Sequence, residues 1–338
     1  MAKVYHDKDI KMQPITKKVI GIIGYGSQGH AQAQNLRDSG LKVIVAEPKG
    51  TPNYKLALKH KFKPMTAGEL ARKADIIQIL LPDEIQRIVY AKEIAPNLEA
   101  GKVLCFSHGF NIHFKQIVPP KDVDVIMVAP KGPGHTVRSE YVSGGGVPCL
   151  FAVQQDASGK ARQLAMAYAK AIGGARAGVL ETSFAEETET DLFGEQAVLC
   201  GGVTSLIKAG FETLVDAGYQ PELAYFEVLH ELNLIVKLLV QGGLSYMWYS
   251  VSNTAEYGGL TRGDVLVDAA VRKRMKKLLA DIQDGSFAKE WVAEWNSGAK
   301  KFRALEMKER NHQVEKVGLA LRRLMPFVDA KEIKGSLH

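Results

Sequence analysis

The first half of the chain alternates short, β-branched apolar runs with segments whose apolar residues recur at helical spacing. Val19–Ile23, Lys42–Ala46, Ile76–Leu81, Val103–Ser107 and Val125–Ala129 read as strands, and Ala31–Ser39 reads as a helix ended by Gly40. This alternation is the pattern of βαβ units and a parallel sheet. Each run is followed at its carboxyl end by polar sequence containing Gly or Pro, and ligands of open α/β sheets bind at those ends. From Glu186 to Leu324 the pattern becomes long and helical, as in Leu192–Ala217, Pro221–Leu239 and Val265–Asp284. The spacing predicts an α/β protein with a parallel-sheet domain over 1–182, an all-α domain over 183–328 and a loose polar tail over 329–338.

The length agrees, because 338 residues exceed the roughly 150 that one ordinary core holds. Hydrophobic residues at 46% and charged residues at 24% exclude wholesale disorder, collagen-like repeats and coiled-coil fibres. No stretch reaches the roughly 20 consecutive apolar residues that span a bilayer. The longest candidate, Leu229 to Trp248, is interrupted by His230, Glu231, Asn233, Lys237 and Gln241. The first residues, MAKVYHDKDIK, have neither the apolar core nor the small-residue cleavage site of a secretory signal. Cys105, Cys149 and Cys200 are odd in number, far apart and set among apolar neighbours, which predicts reduced core thiols. A cytoplasmic protein without a membrane partner is expected. The net charge of +7 gathers in Lys55–Lys63 and Arg272–Lys277, but neither run is interleaved with aromatics. They read as solvated helix faces, and no nucleic-acid partner is expected.

Gly24-Tyr25-Gly26-Ser27-Gln28-Gly29 stands directly after a strand and opens a helix. Glycines at that spacing permit a tight turn and close backbone approach, and the helix amino terminus faces a pyrophosphate. The first domain therefore reads as a Rossmann-type dinucleotide-binding domain. The residue that separates NAD from NADP belongs about 20 residues on, after the second strand, where Glu47 stands. A carboxylate there accepts hydrogen bonds from the ribose hydroxyls and repels a 2′-phosphate. Lys49 and Thr51 in the same loop are able to hold such a phosphate, so the loop leans towards NADH with residual NADPH use. His108 and Lys131 each follow an apolar strand at the cofactor end of the sheet; both could equally be structural.

In the helical half, Asp191 and Glu195 lie at i, i+4, and Glu227 and Glu231 repeat the spacing. Each pair sets two carboxylates on one helix face, with Cβ atoms ~5–6 Å apart. No lysine at i+4 compensates them, and their neighbours Leu192, Phe193, Val228, Leu229 and Leu232 are apolar. Four oxygen ligands in that setting suit hard divalent cations, Mg²⁺ above all, against the alternative of solvated surface acids. Ser252 opens a polar stretch, Ser252 to Gly259, that reads either as a carboxylate-binding loop or as a helix cap. Tyr246, Trp248 and Tyr249 read as core.

Together these segments resemble ketol-acid reductoisomerase (acetohydroxyacid isomeroreductase) of the short, class I form, from Val4 to about Pro326. The resemblance rests on Gly24 to His30, Leu81-Pro82-Asp83-Glu84, Ser107 to Phe110, Ala129 to His135, Glu189 to Glu195, Tyr225 to Glu231 and Ser252 to Gly258. It implies alkyl migration and reduction of 2-acetolactate and 2-aceto-2-hydroxybutanoate, a step of valine and isoleucine biosynthesis. It further implies that Asp191, Glu195, Glu227 and Glu231 hold two Mg²⁺, the second pair reaching in from a partner subunit. By the same resemblance Ser252 binds substrate, His108 is an active-site residue, and Tyr25 to Gln28, Asp83, Glu84, Ile85, Gln86 and Gly134 line the dinucleotide. The family's helical domain is knotted and makes a homodimer, and some members assemble further.

The chain departs from the family where the cofactor is chosen. Pro48 stands where members that grip a 2′-phosphate carry an arginine, Thr51 stands at a serine position, Pro52 lies beyond it and Glu47 just ahead. Losing a guanidinium removes a charge-assisted donor, and Glu47 adds repulsion, so NADH is the expected cofactor. Two rivals remain at this level: a metal-free dehydrogenase of similar architecture, which needs no acidic pairs, and a dinucleotide sensor without turnover.

Overall fold

The computed structural model describes residues 2–325 and 330–332. Of the expected loose tail, only 330–332 lie within the described residues, and they are exposed. Contacts divide the chain into two units, Met1–Thr190 and Asp191–His338.

The first unit is built on one eight-stranded sheet. Its order is β1 (Val4–Tyr5), β8 (Val179–Glu181), β7 (Cys149–Gln155), β6 (Asp124–Pro130), β5 (Val103–Phe106), β4 (Ile76–Ile79), β2 (Val19–Ile23) and β3 (Lys42–Ala46). Strands β2 to β6 run parallel, and the order reverses between β2 and β4. Every residue of β4, β5 and β6 is buried, as continuous apolar runs covered on both faces require.

The expected parallel sheet is extended at one side by strands that make it mixed: β7 runs antiparallel to β6 and β1 antiparallel to β8. The physical cause lies in the connection after β6. The chain makes the helix Gly134–Val142 alongside the helix Ser27–Asp38 and re-enters the sheet at its carboxyl end, pairing Cys149 with Pro130. A crossover to the far end, which would have made β7 parallel, never forms. Strands β1 and β8, two and three residues long, are too short for periodicity to reveal.

Among the described residues the second unit contains helices and no strand. The expected helix over Leu192–Ala217 is interrupted by a π-turn at Glu195–Leu199, and that over Pro221–Leu239 by another at Phe226–His230. The expected helix Val265–Asp284 is two helices, Asn253–Leu266 and Ala269–Gln283. Asp268 starts the second by accepting the Val271 N–H at 2.8 Å.

Two expected core assignments are corrected here. Cys105 and Cys149 are buried, but Cys200 is exposed at the junction between the π-turn and the helix Gly201–Asp216. Tyr246 and Tyr249 are also exposed, on the half of the helix Leu232–Ser250 that follows the kink at Gly243, where Met247 is the buried residue. By length and composition the helical run Phe184–Asp216 passes as a membrane span. Apolar helix faces that meet another protein pass the same test.

Candidate active site

The glycine-rich turn joins β2 to the helix Ser27–Asp38, and each glycine has its own reason. Gly24 has φ +93°, where L side chains are strained, and a Cβ there would stand 2.7 Å from the Leu80 carbonyl oxygen. A Cβ on Gly29 would lie 2.0 Å from the Gly24 oxygen, so only glycine lets the helix close on the strand. At Gly26 a Cβ would meet nothing within 4 Å, which leaves open space for a ligand's approach. No side chain caps the helix at Gly26, so its first N–H groups are left to an anion. Gly134 opens its helix against this turn; a Cβ there would come within 2.0 Å of the Ser27 carbonyl.

Beside the turn, at the carboxyl ends of β2, β3 and β4, lies a cavity of about 410 Å³ lined by Gly24, Glu47, Pro48, Lys49, Tyr54 and Leu81, among others. Its size and place suit the adenosine half of a dinucleotide. The Glu47 carboxylate is fixed within it: Oε2 accepts the Tyr25 N–H at 2.7 Å, and Oε1 accepts the Thr51 hydroxyl at 3.0 Å. Thr51 also caps the helix Pro52–Lys59, accepting the Tyr54 N–H. Lys49 is exposed at the cavity rim. The Tyr25 side chain, by contrast, is wholly buried and turned away from the cavity.

A buried amide chain ties the turn to the other loops. Gln28 Nε2 donates to the Gly132 carbonyl at 2.9 Å, and Gln32 Nε2 donates to Gln28 Oε1 and Ser107 Oγ, 3.1 Å each. The loops bearing Lys131 and His108 are thereby held relative to the glycine-rich turn.

The chemistry gathers around Glu187, whose side chain is 1% exposed. Its Oε1 takes the Lys131 ammonium at 2.8 Å, and its Oε2 takes His108 Nδ1 and the Gly109 N–H, each at 3.2 Å. Burial alone would raise the Glu187 pKa, but His108 and Lys131 outweigh it and hold the carboxyl below the usual range. Glu187 is therefore an anion that fixes a cation and an imidazole at strand ends. With Nδ1 donating to it, His108 carries its other ring nitrogen towards Asp83, 3.9 Å away. Asp83 opens the helix Asp83–Val89, and burial pushes its carboxyl up to about 6 against the pull of His108. In the same turn Gln86 Nε2 bonds the Leu81 carbonyl and Asp83, and Asn111 bonds the Asp83 carbonyl. Glu84 and Ile85 lie beside them, half-buried.

Glu187 escapes a reading by motif, yet it leaves a signal. Phe184, Glu187 and Thr188, at i, i+3 and i+4, form the buried stripe of the helix Phe184–Gly194, so an acid stands where apolar residues belong.

The acidic pairs occupy the second unit. Asp191 is half-buried, whereas Glu195, Glu227 and Glu231 are exposed. Glu195 opens one π-turn, Glu227 lies within the other and Glu231 follows directly after it, a local geometry frequent at functional sites. Among the described residues of one chain the four carboxylates do not converge on one point. Each pair presents two hard oxygen donors, which suits magnesium. Ser252 serves as the amino-terminal cap of Asn253–Leu266, accepting the Ala255 N–H at 3.2 Å.

Comparison with known proteins agrees with this geometry. Residues 14–178 match the family described as "Acetohydroxy acid isomeroreductase, NADPH-binding domain" and residues 184–327 match "Ketol-acid reductoisomerase, C-terminal domain". An NADH-preferring ketol-acid reductoisomerase from an uncultured archaeon is 48% identical; the match covers 96% of this chain and 99% of that one, with a TM-score of 0.94. The fold alone is shared with a semialdehyde dehydrogenase NAD-binding protein from Cupriavidus necator, at 18% identity, 79% and 99% coverage and a TM-score of 0.60. A putative oxidoreductase from Jannaschia sp. CCS1 is alike at 16% identity, 79% and 97% coverage and a TM-score of 0.59. The glycine-rich turn, the Lys131–Glu187–His108 cluster and the paired carboxylates thus sit in a chain that belongs to the ketol-acid reductoisomerase family of NAD(P)H-dependent enzymes.

Proposed function

We propose that this enzyme isomerises and reduces 2-acetolactate and 2-aceto-2-hydroxybutanoate to 2,3-dihydroxy-3-methylbutanoate and its pentanoate homologue, with magnesium and with preference for NADH. The observation that carries the reaction is the bridge from Glu187 to both Lys131 and His108. When bound, two magnesium ions supply Lewis acidity at the substrate oxygens, and the reduced nicotinamide supplies hydride. Glu187 fixes the Lys131 ammonium, which stabilises negative charge as the tertiary alcohol loses its proton and the alkyl group moves from C2 to C3. His108, oriented through Nδ1, carries a proton at its outward nitrogen to or from the reacting oxygen. Asp191 and Glu195 would hold magnesium together with Glu227 and Glu231 of a second copy, and Ser252 would bind the substrate carboxylate.

The preference for NADH follows from Glu47. Its carboxylate has about four acceptor positions and spends two on Tyr25 and Thr51, leaving others for ribose hydroxyls. A 2′-phosphate would meet the same negative charge, and Pro48 offers no cation. The solved relative that prefers NADH supports this reading. A homodimer is supported by the exposed Leu234, Val240, Leu244, Tyr249, Leu260 and Val265 of the second unit, a run of apolar surface unusual for a monomer. A knotted helical domain and a cytoplasmic setting belong to the same proposal.

The test is initial-rate oxidation of NADH and NADPH with 2-acetolactate, in excess Mg²⁺ and after chelation. Metal-dependent turnover favouring NADH is expected. Turnover that survives full chelation would return the metal-free dehydrogenase. A specificity constant for NADPH equal to or above that for NADH would discard the reading of Glu47.

A further inference from the structure

We infer that His60, outside the cofactor cavity, is a positioning residue for cofactor choice, acting on Glu47 through the buried phenol of Tyr25. The inference rests on the reading of Glu47 as the residue that separates NADH from NADPH.

A closed circuit of contacts carries it. Tyr25 sits between the first two glycines of the turn, and its backbone N–H donates to Glu47 Oε2 at 2.7 Å. Glu47 Oε1 faces the Thr51 hydroxyl, whose one hydrogen also faces the Pro48 carbonyl, at 3.0 Å each. Thr51 starts the helix Pro52–Lys59 and His60 ends it, its N–H bonding the Leu56 carbonyl at 3.0 Å. From there the circuit returns, since the Tyr25 hydroxyl lies 3.0 Å from His60 Nδ1. One residue of the pyrophosphate turn therefore grips both ends of the segment that carries the specificity loop.

The direction of that last bond is set by chemistry. Burial raises the Tyr25 phenol pKa, so it stays protonated and donates. Burial, Lys59, Arg37 and Arg138 lower the pKa of His60, so its neutral ring accepts. The circuit is anchored from outside as well: Arg37 Nη1 donates to the His60 carbonyl at 2.6 Å and its guanidinium lies over Phe62, whose ring meets the Tyr25 ring edge-on. Neither Tyr25 nor His60 lines the cavity. Their part is to hold the Glu47 carboxylate at a fixed distance from the turn, where a ribose hydroxyl fits and a phosphate does not.

The experiment measures dissociation constants of NADH and NADPH by fluorescence titration of the whole enzyme, without turnover. His60→Leu and Tyr25→Phe each remove the bond while keeping bulk, and His60→Asn keeps an acceptor near the place of Nδ1. The two removals are expected to narrow the NADH-to-NADPH affinity ratio about five- to tenfold, the worth of one hydrogen bond. His60→Asn is expected to restore it to within about twofold of wild type by keeping that bond. Equal weakening of both cofactors, or no change in folded variants, overturns the inference, because a role in stability alone moves both affinities together. If His60→Leu fails to fold, Tyr25→Phe, which leaves the ring packing intact, decides the matter. The wild-type ratio by itself tests the NADH preference, whereas the variant-to-wild-type quotient tests the clamp whichever cofactor wild type favours.

Discussion

Lys131 Nζ stands 2.8 Å from Oε1 of Glu187, a carboxylate with 1% of its side chain exposed. A buried anion between an ammonium and an imidazole is a high-stakes arrangement, since removing its charge leaves both partners unbalanced. Glu187→Gln keeps the shape and one acceptor oxygen but loses the charge and the second acceptor. Turnover at saturating substrate should fall about 10²- to 10³-fold, the usual range for losing a proton-transfer or charge-stabilising group. Cofactor affinity should stay within about threefold of wild type, since Glu187 bonds the His108 and Lys131 loops rather than the glycine-rich turn. Steady-state rates alongside NADH titration separate the two effects, and a large loss of NADH affinity would assign Glu187 to the cofactor site instead.

Glu47 gives a prediction of opposite character. Glu47→Gln retains an oxygen for Tyr25 N–H yet removes the repulsion from a 2′-phosphate. NADPH should bind about five- to tenfold more tightly, as about 1 kcal/mol of repulsion near the surface disappears. Titration with both cofactors at low ionic strength checks it. Unchanged NADPH affinity would show that the loop backbone, with Pro48 and Pro52, sets the choice.

How far these positions could be read from sequence depended on whether their contacts were local. Strands β2 and β3 have the bounds their apolar runs predict, and the glycine turn is recognisable because strand, loop and helix are contiguous. The position of Glu47 beside that turn is legible by counting from it. Glu187 is not, because its partners lie 79 and 56 residues away, and only the fold brings them together. Likewise the antiparallel return of β7 is decided by where the helix Gly134–Val142 packs, not by any pattern within β7. The helical half misled on Tyr246, Tyr249 and Cys200, because composition shows that a residue is apolar but not whether its own chain covers it.

Asp83 predicts a pH dependence of stability. Its carboxyl is pushed from its ordinary 3.8 up to about 6, so between those values the folded state binds more protons than the unfolded one. Stability must then fall as pH rises through about 4 to 6, the reverse of an ordinary salt-bridged aspartate. With 26% of the side chain exposed, solvent screens part of the effect, leaving about 1–2 kcal/mol. Asp83→Asn should therefore be more stable than wild type at pH 7.5 and about equal to it near pH 4. Urea unfolding of the cofactor-free enzyme at both values is the check, and a stability difference independent of pH would show that Asp83 titrates normally.

The acidic pairs yield the prediction that separates one chain from two. Within a single chain, Asp191 and Glu195 do not converge with Glu227 and Glu231. If each site takes its first pair from one subunit and its second from the other, an Asp191→Asn chain and a Glu227→Gln chain fail for complementary reasons. Homodimers of either variant have no intact site and should be inactive. A mixed dimer gathers both defects into one site and leaves the other whole, as two-fold symmetry demands. Co-expression of the two variants with different tags, and purification on both, should yield a dimer with about half the wild-type activity per dimer, while random pairing gives about a quarter overall. If both pairs served the same chain's site, every site in the mixed dimer would carry one defect and activity would stay at the level of the single variants. Mg²⁺ titration of the mixed dimer gives a second readout, since one intact site should recover the wild-type affinity while the other does not.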